Sequence, residues 1–224
     1  RGYLTNSTDV DTGAILYEPN AFGETERIRY PKTNAPAWTM QFTFDKLSRP
    51  LTRVESEGTT TFTWGRLAHN TASAKYIGRL KKVVSPNGYV EDYLFDNYAR
   101  ISRLRTTIDG TNYDFNVTYT PTTGNPETFT YPTSTSGFRL VLVNTYQKNL
   151  LKSVGIQGSI TPWTATSTDA FGHVQDELFG NGVRTFTDFD QATGQIAARE
   201  AGIGGGTALI NSKLTWDLRG NLKK

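Results

Sequence analysis

The sequence contains no cysteine, and this absence removes several classes of protein from consideration. A chain without thiols holds no disulfide framework, zinc ribbon or iron–sulfur cluster, and it has no thiol nucleophile. Histidine is also scarce, with only His69 and His173 in 224 residues, which limits metal sites and catalytic triads. We therefore expect neither a metal nor a cofactor.

Long apolar runs and one-sided charge are also missing. The longest apolar run, residues 140–143, is far shorter than the ~20 residues of a membrane-spanning helix. The formal net charge is +3, from 24 basic and 21 acidic residues, and no five like charges follow one another. The sequence therefore predicts a chain without a membrane span and without affinity for nucleic acid. It begins with Arg1 and not with methionine, so we expect it to be part of a longer protein.

Threonine, glycine and aromatic residues are abundant instead. The chain has 34 threonines, 21 glycines and 9 prolines, together with 12 phenylalanines, 11 tyrosines and 4 tryptophans. Threonine and aromatic side chains favour β-strands, and glycine and proline favour turns. Only segments such as residues 91–94 and 144–153 could form a turn or two of helix. We therefore expect an all-β protein.

A repeated pattern organises the chain. An aromatic residue is followed by Asp or a polar substitute, then by Gly or a small residue, and then by a polar and an aliphatic residue. The residues at the Gly position, which we call the markers, are Gly23, Ser48, Gly78, Ala99, Gly124, Asn149, Gly172, Gly194 and Gly220. Their intervals of 21 to 30 residues predict one array of about nine units over residues 1–224, incomplete at both ends.

Each position of the repeat has a physical role in a β-hairpin. The aromatic ring ends the incoming strand and buries a large area. An Asp side chain accepts hydrogen bonds from amides just ahead of it, and glycine adopts a positive φ at little cost. The turn aspartates are Asp45, Asp96, Asp169, Asp190 and Asp217. Two strands per repeat amount to roughly 18 strands, and a sheet of that width does not stay flat.

The repeat resembles the YD repeat of Rhs-family proteins. This family includes bacterial Rhs polymorphic toxins, the B and C components of insecticidal Tc toxins, wall-associated bacterial proteins and the teneurins. The resemblance covers residues 9–223 and rests on the five turn aspartates with Gly172, Gly194 and Gly220. Several positions depart from the pattern, since Ser48 and Ala99 replace glycine.

The resemblance implies a structural role. Members of the family coil the β-hairpin strip into a solenoid or barrel-like shell, which encloses a C-terminal toxin domain or serves in adhesion. It implies a secreted or cell-surface location, with the remaining repeats of the parent chain and an enclosed toxin domain as partners. The family's Asp-Pro-x-Gly-Leu autoproteolytic motif is absent from these residues, so we expect no enzymatic activity in them.

Two other functions stay open at this point. Trp38 and Trp163 could stack on sugars, which would make the chain a carbohydrate-binding or cell-surface adhesion module. The aspartates could be calcium ligands or the paired carboxylates of a polysaccharide-acting enzyme, although no complete calcium loop is present. An Asp at every turn favours turn capping, because a catalytic pair is needed only once.

The two histidines have simple structural interpretations. His173 follows Gly172, where other copies carry Arg, Asn or Gln, and this predicts a solvent-facing position on the returning strand. His69 lies in the longest interval between markers, where a loop is expected.

Overall fold

The computed structural model describes residues 2–11, 13–30, 38–65 and 75–223, without the side chain of Trp38. These ranges contain 18 strands: β1 (Asn6–Asp9), β2 (Gly13–Pro19), β3 (Thr25–Tyr30), β4 (Trp38–Phe44), β5 (Pro50–Glu55), β6 (Gly58–Trp64), β7 (Leu80–Val84), β8 (Val90–Phe95), β9 (Ile101–Ile108), β10 (Thr111–Tyr119), β11 (Pro126–Thr133), β12 (Arg139–Gln147), β13 (Leu150–Ile156), β14 (Trp163–Thr168), β15 (Val174–Phe179), β16 (Val183–Phe189), β17 (Ile196–Ile203) and β18 (Ile210–Lys213). The prediction of an all-β chain is confirmed.

The chain divides into two compact units, residues 1–115 and 116–224. Within the first unit, each strand from β1 to β9 pairs antiparallel with the next strand along the chain, as far as the described residues show. Within the second unit, the strands from β10 to β18 pair in the same way. The division falls inside β10.

Because chain neighbours pair antiparallel, the connections between strands lie alternately at the two ends of the strands. We call these two sides, where the strand ends and their connections lie, the two edges of each meander. In the first unit, the connections β2–β3, β4–β5, β6–β7 and β8–β9 share one edge and carry the first four markers, Gly23, Ser48, Gly78 and Ala99. In the second unit, the markers Gly124, Asn149, Gly172, Gly194 and Gly220 follow β10, β12, β14, β16 and β18. We call this edge of each unit the marker edge. One repeat is therefore one pair of strands.

Strand β6 illustrates why such sequences form a half-buried sheet. Thr59, Thr61 and Thr63 are exposed, whereas Thr60 between them is buried and Phe62 is half-buried. Successive side chains of a strand point to opposite faces, so alternating residues meet different environments. The alternation of polar and aromatic residues thus follows the pleat.

The threonine excess has a visible origin in cross-strand pairs. The hydroxyl groups of Thr43 and Thr52 lie 2.6 Å apart between β4 and β5. In the second unit, the hydroxyls of Thr118 and Thr128 lie 2.7 Å apart between β10 and β11. Such directly opposed hydroxyl pairs stabilise neighbouring strands.

Burial is shallow in both units. Among the described residues, the buried hydrophobic side chains are Val83 and Phe95 in the first unit, and Ala165 and Ala201 in the second. Each strand instead makes most of its contacts with its chain neighbours. Stability in such a repeat comes from the interfaces between successive strand pairs. No helix in the described ranges is long and apolar enough to cross a membrane.

Candidate functional site

The turn at Asp45 shows how one repeat builds the marker edge. The N–H of Asp45 donates to the Arg49 carbonyl at 2.9 Å, and the N–H of Ser48 donates to the Asp45 carbonyl at 3.0 Å. Oδ1 of Asp45 accepts from the N–H groups of Leu47 at 2.8 Å and Arg49 at 3.1 Å. Oδ2 accepts from two nitrogens of the Arg49 guanidinium at 2.8 and 2.5 Å. One carboxylate therefore satisfies two turn amides and holds the side chain that precedes β5.

Three other aspartates make the same set of contacts. In each case Oδ1 accepts from the N–H groups two and four residues later, at 2.8 to 2.9 Å. Oδ2 lies 2.8 to 3.0 Å from a nitrogen of the side chain four residues later. These pairs are Asp96 with Arg100, Asp169 with His173, and Asp217 with Asn221.

The turns at Asn20 and Asp190 are variants of this arrangement. Oδ1 of Asn20 accepts from the N–H groups of Phe22 and Glu24 at 2.9 and 3.1 Å, and its Nδ2 donates to Glu24 Oε2 at 2.6 Å. The turn at Asp190 is one residue longer, and Asp190 Oδ1 accepts from the N–H and the hydroxyl of Thr193 at 2.8 and 2.9 Å. At the Asn20 turn, an amide therefore takes the place of the carboxylate, because the residue four positions later, Glu24, is acidic.

The hydrogen bonds lower the pKa of every turn aspartate. The Arg49 side chain, together with two backbone amides, lowers the pKa of Asp45 to about 2 against an opposing contribution from burial. Burial raises the pKa of Asp96 and Asp169, but hydrogen bonds from Arg100 and His173 outweigh it, so both pKa values are lowered. The Thr193 hydroxyl lowers the pKa of Asp190, and the Asn221 side chain lowers that of Asp217.

The markers occupy the left-handed region of the backbone. Gly172 and Gly220 have φ of 89° and 81°, and Gly23, Gly78, Gly124 and Gly194 lie between 72° and 87°. Ser48 and Ala99 keep this conformation without being glycine, with φ of 59° and 60°. A positive φ at this position forms the bulge that joins a type I turn to its hairpin. The two substitutions therefore strain the backbone and leave the turn unchanged.

A second contact links three of the marker turns to the next repeat. After the markers Ser48, Gly78 and Gly172, the next residue lies opposite the aromatic residue that ends the second strand further on, when the registers of the strands are extended. The Arg49 guanidinium lies 5.0 Å from the centre of the Trp64 ring, and that of Arg79 lies 5.4 Å from the Phe95 ring. The rings of His173 and Phe189 are stacked at 4.7 Å. We call each such pair of a post-marker residue and an aromatic ring a rung.

The aromatic position also supplies hydrogen-bond donors. Trp64 Nε1 donates to the Pro50 carbonyl at 2.7 Å, and Trp216 Nε1 donates to the Ile196 carbonyl at 2.8 Å. The Tyr146 hydroxyl donates to the Pro126 carbonyl at 2.8 Å. Each acceptor lies two residues after the marker of the preceding repeat. Tyrosine and tryptophan thus bury an apolar ring and satisfy a backbone carbonyl together.

The remaining candidate residues lie apart from one another. Trp163 is half-buried, and its Nε1 donates to Glu177 Oε2 at 2.7 Å. His173 is 39% exposed and belongs to the rung with Phe189. The side chain of Trp38 and the whole of His69 lie outside the described residues. In the part of the chain that the structure describes, no three His, Asp or Glu side chains are grouped to hold a metal ion.

Two turns of the opposite edge have the same backbone geometry but no repeat aspartate. The N–H of Gly88 donates to the Ser85 carbonyl at 3.1 Å, and the N–H of Gly137 donates to the Ser134 carbonyl at 3.0 Å. Sequence reasoning missed them as markers because a serine occupies the Asp position. The common order Ser-x-x-Gly-aromatic in residues 85–89 and 134–138 is the signal that would have found them.

Comparison with known proteins gives a likeness in fold. No family model matches the chain, and no curated protein matches it. Among solved structures, a chain of the Photorhabdus luminescens Tc holotoxin pore matches 97% of this chain with a TM-score of 0.70 and 15% identity. The chain shares its fold with this Tc toxin component. A chain of the crystal structure of TcdB2–TccC3–Cdc42 matches 93% of it with a TM-score of 0.50 and 12% identity.

The Tc toxin likeness agrees with the resemblance to YD-repeat proteins that the marker pattern indicates. It concerns a small part of the Tc toxin chains, because this chain spans 11% and 13% of their lengths. At 12% to 15% identity, the likeness establishes the fold and not the activity.

Proposed function

We propose that the chain is a non-catalytic structural segment of an Rhs/YD-repeat shell, within a secreted bacterial toxin that encloses a C-terminal effector domain. The observation that carries this proposal is the Tc toxin likeness, with a TM-score of 0.70 over 97% of the chain. The partners would be the remaining repeats of the parent chain and the enclosed domain. The nine repeats of the sequence pattern would form one continuous array that coils as a solenoid or barrel-like wall.

The state of the turn carboxylates supports a role without catalysis. A general acid or base works best with a pKa near the working pH, which for a carboxyl group means a raised pKa. The pKa of every turn aspartate is lowered instead. Each carboxylate is also occupied by amides of its own turn. The hypothesis of a polysaccharide-acting enzyme gains no support from these groups.

Shallow burial supports a wall that is completed by other repeats. An isolated domain needs a buried core to offset the conformational entropy that folding removes. The described strands bury few hydrophobic side chains completely. A repeat array instead distributes its stability over interfaces between neighbours.

A second candidate function is adhesion to glycans or to a cell-surface receptor. It is favoured by exposed rings at the tips of marker turns, since Phe22 is 86% exposed, Tyr98 80% and Phe171 74%. Exposed aromatic rings are common in binding surfaces for sugars and proteins. A glycan array tests this candidate, with a signal that is lost in a Tyr98→Ala variant.

Limited proteolysis of the protein encoded by the complete reading frame tests the shell proposal. The effector domain is expected to resist digestion within the intact protein and to be cleaved at least ten times faster when it is produced alone. Equal cleavage rates would contradict enclosure. A complete reading frame without any domain beyond the repeats would contradict the toxin assignment and favour adhesion.

A further inference from the structure

The first rung of the array differs from the other rungs in charge. The register of β3 and β4 pairs Arg27 with Gln41, and its extension places Glu24 opposite Phe44. Glu24 follows the marker Gly23, so it holds the position that Arg49 and Arg79 hold in the next two rungs. A carboxylate therefore stands where the next two rungs present a guanidinium to an aromatic ring.

A groove lies at this rung within the first unit. It has a volume of about 610 Å³, and its lining includes Phe22, Phe42 and Phe44 together with Glu24 and Glu26. The Phe42 and Phe44 rings are stacked with their centres 6.2 Å apart and their planes at 26°. Its size lies within the range of ligand-binding grooves, about 300–1,000 Å³.

The groove is acidic. Glu24 accepts one hydrogen bond from the neutral amide of Asn20, and neither Glu24 nor Glu26 forms an ion pair with another described residue. The Asp45 carboxylate, also at the groove, is already paired with Arg49. Lys46 brings one positive charge against the two glutamates. The balance favours a cation.

We propose that this groove binds the guanidinium group of an arginine side chain that another polypeptide segment presents. The next rung shows the required geometry on the same chain, because Arg49 lies 5.0 Å from a ring centre and bonds a carboxylate at 2.5 Å. A planar guanidinium stacks on aromatic rings and pairs with a carboxylate through two parallel hydrogen bonds. The incoming arginine completes the first rung from outside. This inference goes beyond the proposed shell function and does not depend on it.

Peptide titration followed by NMR tests the site on the 224-residue chain. The probes are two five-residue peptides, Gly-Ser-Arg-Ser-Gly and the same peptide with citrulline, which has the shape of arginine without its charge. We expect the arginine peptide to bind at least ten times more tightly and to shift the ring protons of Phe42 and Phe44. Equal binding of the two peptides, or shifts that leave both rings unaffected, would overturn the proposal.

A double variant fills the groove from within the chain. Asn20→Asp with Glu24→Arg recreates the Asp–Arg turn of the next repeat and places a guanidinium over Phe44. Peptide affinity is expected to fall at least tenfold. Asn221→Arg is the matched control, because it adds the same net charge after the marker Gly220, which belongs to the second unit, and it should bind the peptide as the parent chain does. Unchanged affinity in the double variant, or an equal loss in the control, would contradict the site.

A milder variant keeps the test decisive if the double variant misfolds. Glu24→Gln with Glu26→Gln retains the shape of the groove and removes its charge. We expect at least a fivefold loss of arginine-peptide affinity with an unchanged circular dichroism spectrum. A variant that keeps both its fold and its affinity would refute the assigned role of the glutamates.

Discussion

At the scale of single residues, Ser48 and Ala99 hold a conformation that suits glycine. Both have φ near 60° in the marker position. A residue with a Cβ in the left-handed region carries a cost of roughly 1–2 kcal/mol, although glycine loses part of this advantage through its more flexible unfolded state. The substitutions Ser48→Gly and Ala99→Gly are therefore expected to stabilise the fold by about 0.5–1 kcal/mol each.

Thermal or urea unfolding measures this effect, and Ala170→Gly is its matched control. Ala170 occupies the second position of the turn at Asp169 and is not among the residues with positive φ. The free energy of unfolding of the Ala170→Gly control should fall by a few tenths of a kcal/mol or more, because glycine at this position only adds conformational freedom to the unfolded chain. Destabilisation by Ala99→Gly would show that the turn does not strain its marker.

Asp45 gives a prediction on pH dependence at the same scale. Its pKa is about 2 in the folded chain, against about 3.9 in an unfolded chain. Because the folded pKa is the lower of the two, the stability contributed by the carboxylate is fully present above about pH 4 and is lost as the pH falls through about 2. The difference in unfolding temperature between the parent chain and Asp45→Asn should therefore shrink between pH 5 and pH 2.

The asparagine variant retains the acceptor for the amides of Leu47 and Arg49, so it isolates the charge. The parent and the variant are compared in the same buffers and at constant ionic strength. A difference that stays constant over this pH range would show that the Asp45 carboxylate does not titrate in the way its contacts require.

At the scale of strands and turns, the aromatic position links one repeat to another through a hydrogen bond. Removing the Tyr146 hydroxyl leaves the ring in place and removes one of two side-chain donors to the Pro126 carbonyl, the other being Asn144 Nδ2 at 3.2 Å. Tyr146→Phe should therefore destabilise the chain by about 0.5–1.5 kcal/mol. Tyr98→Phe is the control, because the Tyr98 side chain is 80% exposed, and its unfolding should be unchanged. Equal effects of the two substitutions would show that the Tyr146 hydrogen bond does not stabilise the fold.

The sequence predicted the turns of the marker edge better than those of the opposite edge. An Asp, an aromatic residue and a glycine together identify the former, since each has a defined place in the hairpin. The turns at Gly88 and Gly137 use serine and lack the carboxylate, so they carry only part of the signal. Residues 144–153 form two strands and no helical turn, because Lys148 and Asn149 have φ of 50° and 65° and reverse the chain between them.

The rungs depended on information that a linear pattern does not contain. The sequence places Arg49 after a marker, but only the strand register shows that it faces Trp64. A shift of one residue reverses the face of every side chain in a strand, so the charge of the first rung became meaningful only with the pairing of β3 and β4. The solvent-facing interpretation of His173 likewise omitted its stacking on Phe189.

At the scale of the whole molecule, the repeat period is the feature that the sequence predicted most fully. Each interval of 21 to 30 residues between markers corresponds to one pair of strands in the structure. The fold is shared with a Tc toxin chain, and this chain spans 11% of the length of that chain. The continuation of the strip beyond these residues, and its coiling into a wall, follow from the proposed function.

The structure of the complete parent protein, determined by electron cryomicroscopy, tests this central claim most directly. We predict that the strands of this chain continue into strands of the flanking repeats and that one face of the sheet lines an enclosed space containing a separate domain. A closed domain formed by these residues alone, without strand pairing to flanking repeats and without an enclosed space, would contradict the account.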